Sequence, residues 1–194
     1  MSKEDLLKLI AQSAYNVGFG AKKHFATFDI VEKAPGWIGF ISFAAGILGL
    51  FVDFFSGKYI TALFLIIGLS SLYIGFYCDT KNSYEQKGKE LTKIYNDLRN
   101  LYFEVKHSEK NNFDNEKSSL DKFNESYNNI SISKQVFLSD WYAHYKFFWQ
   151  HQIDWINEEL KLNFYKDKIP LSFYIFILVL VFVLILYILK IYIC

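Results

Sequence analysis

The chain has 194 residues, with 21 Lys and Arg against 20 Asp and Glu, so its formal net charge is only +1. This balance excludes a protein that binds nucleic acid by bulk neutralisation of phosphates, although a local basic pocket stays open. The two cysteines, Cys78 and Cys194, are too few for a disulfide framework and lack metal-finger spacing, so we expect unpaired thiols near the membrane interface.

Three runs contain no Asp, Glu, Lys, Arg or His: 34–52 (19 residues), 59–78 (20 residues) and 169–189 (21 residues). A helix rises about 1.5 Å per residue, so each run can cross a hydrocarbon core about 30 Å thick. We predict an all-α, polytopic membrane protein. Its parts are an N-terminal amphipathic cytosolic helix (1–33), a two-helix transmembrane hairpin (34–78), a cytosolic helical bundle or coiled coil (79–168) and a C-terminal transmembrane helix (169–194).

The N-terminal segment has the pattern of an amphipathic helix, and Ser2 with Asp5 forms a predicted capping pair. Docking on the cytosolic bundle and lying in the membrane interface are both open for its apolar stripe. The stripe consists of Leu7, Ile10, Ala14, Val17, Ala21, Phe25 and Phe28.

The first apolar run carries small or polar residues at spacings of three and four, which predicts that they share one helical face. They either pack the hairpin shut or line an axis where several hairpins meet. In the second case Asp53 forms an acidic ring that favours cations. The predicted pore-lining residues are Gly39, Ser42, Gly46, Gly49 and Asp53.

Beyond the second run, apolar residues recur every seven positions, which predicts a coiled coil or a helical bundle. Packing against the next long helix of the same chain would give the same pattern. No proline lies between Tyr59 and Lys168, so we predict that the second span continues as one rod to about residue 107. The seam consists of Tyr84, Leu91, Leu98 and Val105, with Ile94 and Leu101 between them.

Residues 108–134 are polar and predict a surface connection with a short helix capped by Ser118 or Ser119. Residues 136–168 predict one amphipathic helix that starts near Ser139 or Asp140. The apolar face predicted for the helix in 136–168 contains Trp141, Tyr145, Phe148, Gln152 and Trp155. The short helix predicted within 108–134 has Leu120, Phe123, Tyr127 and Ile130 at helical spacing.

The third run, 169–189, is almost wholly bulky and apolar and predicts a peripheral lipid anchor, or alternatively a ring that gates a pore by dewetting. Residues 1–33 hold five Lys and Arg, the hairpin tip one, residues 79–168 fourteen and the C-terminal tail one. The positive-inside rule therefore places the N-terminus in the cytosol and the C-terminus, with Cys194, outside.

Catalytic patterns are missing: there is no Gly-rich phosphate loop and no nucleophile elbow, so we do not expect an enzyme. Two histidines seven apart without a third ligand do not indicate a metal site, and no cofactor is expected. Several residues outside the apolar runs offer hydrogen-bond donors, positive charge and aromatic rings, which suit a small nucleotide ligand. Alternatively, these rings form the core of the bundle and the lysines face solvent. The candidate ligand-binding residues are Lys22, Lys23, Arg99, His144, Lys146, Trp149 and His151.

The N-terminal helix with its sequence Gly20-Ala21-Lys22-Lys23-His24-Phe25, the tight hairpin 37–78 and the long helix after Asp79 resemble the SLATT-domain family. These are small membrane effectors of bacterial nucleotide-signalling and anti-phage systems, including Hailong-type and cyclic-oligonucleotide-based defence. The family core has two spans, so the third span is an addition or a subfamily trait.

The resemblance implies an abortive-infection effector in the bacterial inner membrane. It would be a homo-oligomeric channel or pore, for example a tetramer. A nucleotide or oligonucleotide from a nucleotidyltransferase encoded nearby would control it. The alternative is a non-conducting, membrane-anchored helical scaffold that recruits a cytosolic partner through its coiled-coil face.

Overall fold

A computed structural model of the chain describes residues 1–193, and side chains as far as residue 189 except that of residue 187. Within this part every regular element is helical, in agreement with the predicted all-α class. Cys194, which was predicted to lie outside the membrane, falls beyond the described residues. The elements are α1 (Lys3–Leu48), α2 (Asp53–Ser56), α3 (Lys58–Gly75), a 3₁₀ turn (Cys78–Thr80), α4 (Lys81–His107), α5 (Asp114–Ile130), α6 (Ser139–Phe148), α7 (Asp154–Leu160), α8 (Phe164–Asp167) and α9 (Leu171–Ile193).

Helix α1 organises the fold because its 46 residues belong to both the helical bundle and the hairpin. Its start is capped as predicted: the backbone N–H of Asp5 donates to Ser2 Oγ at 3.1 Å. The helix then continues through Pro35, so residues 1–33 and the first apolar run form one continuous element.

The N-terminal half of α1 docks on the bundle. Its fully buried side chains include Leu6, Ile10, Ala14 and Val17, and they pack against the apolar face of α4. The burial favours docking over an interfacial position for this half of the helix.

The heptad seam of α4 is buried inside the chain. Tyr84, Leu91, Leu98 and Val105 are each at most 3% exposed. The helix that covers the seam is α1, which precedes α4 in the chain, rather than the next long helix. The seam therefore leaves no free coiled-coil face in the described part of the chain.

The prediction that the second span continues as one helix to about residue 107 is wrong. Helix α3 ends at Gly75, and the 3₁₀ turn separates it from α4. The side chain of Tyr77 holds this break: it is 5% exposed, and its hydroxyl donates to the carbonyl of Gln135 at 3.2 Å. The element that is continuous between membrane and bundle is α1.

The polar segment 108–134 contains a longer helix than expected, and neither Ser118 nor Ser119 caps it. Helix α5 begins at Asp114, whose N–H donates to Asn112 Oδ1 at 3.1 Å. Phe113 and Leu120 are buried in the core, which explains why the helix is ordered against the bundle.

The single amphipathic helix predicted for residues 136–168 is also wrong, because the chain forms α6, α7 and α8 there. Tyr95 of α4 donates through its hydroxyl to the carbonyl of Gln152 at 3.2 Å, between α6 and α7. The buried face of α6 is formed by Ala143 and Phe147, while Tyr145, on the predicted face, is exposed.

Among the described residues, one helix is long and apolar enough to cross a membrane: α3, with a mean hydropathy of 1.6 and 6% of its span buried. The described stretch Leu171–Leu186 of α9 is apolar but shorter, and α1 ends at Leu48, before its apolar run does. Large apolar side chains nevertheless cover the outer surface of all three, an arrangement typical of contact with lipid or protein. Exposed examples are Phe40 and Phe43 of α1, Leu65 and Leu72 of α3, and Leu178 and Phe182 of α9.

Candidate functional site

A polar network joins α1 to the loop between α5 and α6, where the bundle meets the hairpin. His24 Nδ1 donates to the carbonyl of Gly20 at 2.7 Å, so its Nε2 is free to accept from the N–H of Ile132 at 3.0 Å. One turn later, Thr27 donates to Gln135 Oε1 at 2.5 Å. Both α1 side chains are at most 2% exposed, so this loop is held by buried hydrogen bonds.

This network was not predicted from the sequence. The one signal for it is that His24 lies three residues after the apolar stripe residue Ala21, and Thr27 three residues after His24. Burial lowers the pKa of His24, and the charges of Lys23 and Lys87 lower it further, while the hydrogen bond to Gly20 opposes them. The imidazole is thus held neutral in its role as donor and acceptor.

Three of the predicted ligand-binding residues form a cationic cluster, which we define as Lys22 of α1, Arg99 of α4 and His151 of the loop after α6. Burial, followed by the positive charges of Lys22 and Arg99, lowers the pKa of His151 to about 4. Burial also lowers the pKa of Lys22, and the charge of Lys146 adds to this effect. Lys22 and Arg99 therefore act on the same imidazole, which is neutral near pH 7.

No acidic side chain balances the cluster at close range. Among the described side chains, neither Lys22 nor Arg99 has a carboxylate within 4.0 Å, and the Arg99 guanidinium lies 5.9 Å from the centroid of the Phe103 ring. The ring of His151 lies 4.7 Å from that of Tyr95. Cations beside aromatic rings suit an anionic ligand that also has a stackable group.

Lys146 lies beside this cluster but is already paired. Its ammonium contacts the carboxylate of Asp29, which also accepts from Lys33 at 2.8 Å. Burial opposes ionisation of Asp29, yet the hydrogen bonds from the two lysines hold its pKa below the ordinary value. The ammonium of Lys146 lies 4.6 Å from the centroid of the Tyr142 ring.

The remaining candidates point elsewhere. Lys23 forms an ion pair with Asp140 at 2.8 Å. His144 and Trp149 line a separate cavity of about 300 Å³ beside Phe164 and Lys168. The structure therefore distributes the seven candidate residues over several neighbouring environments.

The predicted pore-lining residues divide into two sets. A Cβ added at Gly39 or Gly46 would meet nothing within 4 Å, so this edge of α1 is open. Ser42 instead lines a cavity together with residues of α3, and its hydroxyl has no hydrogen-bond partner among the described residues. Gly49 lies in the turn that follows α1. Asp53 does not extend the α1 face, since it begins α2 at the hairpin tip, where it is exposed.

The comparison with known families gives the class of the protein. Residues 1–177 match the family described as SMODS and SLOG-associating 2TM effector domain 6 (SLATT_6). The chain therefore belongs to this SLATT family, and the resemblance predicted from the N-terminal helix and hairpin is confirmed. The description names two transmembrane helices and an effector that associates with SMODS, which indicates a membrane protein and the kind of partner it has. No curated protein and no solved structure matches the chain.

Proposed function

We propose that the protein is an anti-phage membrane effector that forms a homo-oligomeric ion channel or pore. A nucleotide or oligonucleotide made by a partner nucleotidyltransferase controls it. The observation that carries this proposal is the continuity of α1, which bears Lys22 in the cytosolic bundle and Gly39 and Gly46 in the hairpin. A single continuous helix thus links a cationic cluster to an open edge of small residues.

Self-association supplies the conduction path. One hairpin has too few helices to enclose water, whereas small residues allow helices of neighbouring copies to approach closely. The α1 surface at Gly39 and Gly46 is free for such a contact between copies. A tetramer is the assembly that we propose. Asp53 would then repeat around the outer mouth and favour cations.

The cationic cluster is the proposed sensor. Phosphates of an oligonucleotide would neutralise Lys22 and Arg99, and its bases would stack beside the neighbouring rings. A ligand changes the state of the channel only if it binds one state more tightly. The cluster spans α1, α4 and the loop after α6, so a shift of α1 against the other two elements changes the geometry that the ligand contacts.

The proposed role includes no catalysis. We place the protein in the bacterial inner membrane with its N-terminus in the cytosol and its C-terminus outside, because the lysine-rich segments flank one side of the spans. The third span, 169–189, serves as a lipid-facing anchor in this arrangement. A recruiting scaffold is less well supported, because α1 covers the seam through which it would recruit.

Ion flux tests the proposal against a non-conducting scaffold. The purified protein is reconstituted in liposomes, its oligomeric state is measured, and ion release is followed with and without oligonucleotides. Flux that responds to a nucleotide is expected. Oligomeric protein that conducts under neither condition would contradict the channel and favour the scaffold.

A further inference from the structure

A second site lies where the cytosolic bundle meets the hairpin and α9. It is a cavity of about 890 Å³, separate from the cationic cluster. Lys23 of α1 and Tyr73 of α3 form part of its wall, the start of α6 forms another part, and Ile175 and Phe176 of α9 complete it. The cavity therefore opens between cytosolic and membrane-embedded elements.

One end of the cavity is polar and carries both signs of charge. Lys23 and Asp140 form an ion pair at 2.8 Å, and their side chains are 30% and 58% exposed, so each can also contact a ligand. Ser139 lines the same end, is 1% exposed and has no hydrogen-bond partner for its hydroxyl. A buried hydroxyl without a partner is costly, so a ligand oxygen at this point would remove a penalty.

The other end is apolar. Tyr73, Ile175 and Phe176 belong to the helices with exposed apolar surfaces, and they continue the cavity along them. Trp141 stands between the two ends: its indole N–H donates to Ser172 Oγ at 2.8 Å, and its ring lies 5.6 Å from that of Phe176. Trp with one wet end and one apolar end is typical of the lipid headgroup region.

We propose that this cavity binds a zwitterionic aminophospholipid, such as phosphatidylethanolamine. The phosphodiester would accept from Lys23 and Ser139, the primary ammonium would donate to Asp140, and an acyl chain would follow Ile175 and Phe176. The ion pair has no net charge, so an anionic headgroup would bring its charge toward Asp140 without supplying a cation to that carboxylate. A lipid in this place would join α1, α6 and α9, and lipid composition would then regulate the channel.

Lipid binding by the full-length protein in detergent tests the proposal. Native mass spectrometry gives the affinities for phosphatidylethanolamine, phosphatidylcholine and phosphatidylglycerol with identical acyl chains. We expect phosphatidylethanolamine to bind at least about fivefold more tightly than the other two. Phosphatidylcholine has the same net charge but no N–H donor, so it isolates the contribution of Asp140.

Substitutions localise the site. Lys23→Gln should weaken phosphatidylethanolamine binding about tenfold, the size of a lost charge-assisted hydrogen bond. Asp140→Asn should abolish the preference over phosphatidylcholine. The matched control is Lys33→Gln, which removes another ion-paired lysine of α1 that does not line this cavity and should leave the affinity unchanged.

Two results of the direct binding measurements would overturn the proposal. One is equal binding of the three lipids by the wild-type protein. The other is an equal loss of affinity in Lys33→Gln and Lys23→Gln, which would assign binding to general interfacial charge. Soluble glycerophosphoethanolamine is added as a competitor: displacement of the lipid at equal concentration would identify a soluble ligand instead, and failure to compete supports the lipid.

Discussion

Replacing Lys22 by Met tests whether the cationic cluster is an electrostatic unit. The pKa of His151 falls from its ordinary 6.5 to about 4, through burial first and then through Lys22 and Arg99. A like charge beside a histidine disfavours its protonated form, and here the two charges contribute less than burial does. Because burial is the largest cause of a shift of roughly 2.5 pH units, removing Lys22 should raise the pKa of His151 by at most about one pH unit.

NMR titration of the protein labelled with ¹³C-histidine measures this change directly. His144 is an internal control, because burial lowers its pKa while the carboxylate of Asp140, not Lys22, is its charged neighbour. We expect Lys22→Met to shift the titration of His151 and to leave that of His144 in place. An unchanged His151, or equal shifts of both histidines, would refute the cluster as described.

The same group predicts the direction of a pH effect on stability. Because the folded protein resists protonation of His151, the unfolded chain binds the proton first as the pH falls below about 6.5. The contribution to stability is fully present above that pH and is lost progressively down to about pH 4. His151 is only half-buried, so solvent screening keeps this contribution below the roughly 3.4 kcal/mol that a shift of about 2.5 pH units would give, and Lys22→Met should reduce the loss.

Three further predictions concern packing, backbone and charge. Gly18→Ala should lower the unfolding free energy in detergent by about 1–2 kcal/mol, because a Cβ there would lie 2.8 Å from Tyr95 and 2.9 Å from Phe147. The control Gly36→Ala places its Cβ in open space and should not lower the unfolding free energy. Leu138→Gly should raise the melting temperature, because Leu138 adopts a left-handed backbone conformation (φ 69°) and glycine would remove about 1 kcal/mol of backbone strain there. A lower melting temperature would contradict this. Asp53→Asn should reduce cation preference, and unchanged reversal potentials in asymmetric salt would rule out an acidic ring.

The patterns that were predicted correctly depend on local spacing. The capping pair at Ser2 and the heptad seam from Tyr84 to Val105 follow from side chains three, four or seven residues apart, so the sequence alone is sufficient to find them. The helix that covers the seam depends on the order in which elements pack, and α1 was not distinguishable from a later helix by periodicity.

The helix breaks could not be predicted because tertiary hydrogen bonds determine them. Tyr77 binds the carbonyl of Gln135 and Tyr95 that of Gln152, across more than fifty residues in each case. No glycine or proline marks the second break. The neighbours of the candidate binding residues could not be predicted for a related reason: the partners of Lys23 and His144 depend on how α6 is rotated against α1.

Water accessibility of the glycine edge during conduction tests the central claim most directly. In a Cys78→Ser and Cys194→Ser background, Gly46→Cys places a thiol on the open edge of α1, and Leu180→Cys places one on the exposed surface of α9. A membrane-impermeant, charged methanethiosulfonate reagent is then added to conducting channels in a planar bilayer. We expect rapid block at position 46 and unchanged current at position 180; block at position 180 alone, or at neither position, would contradict a pore lined by the glycine edge.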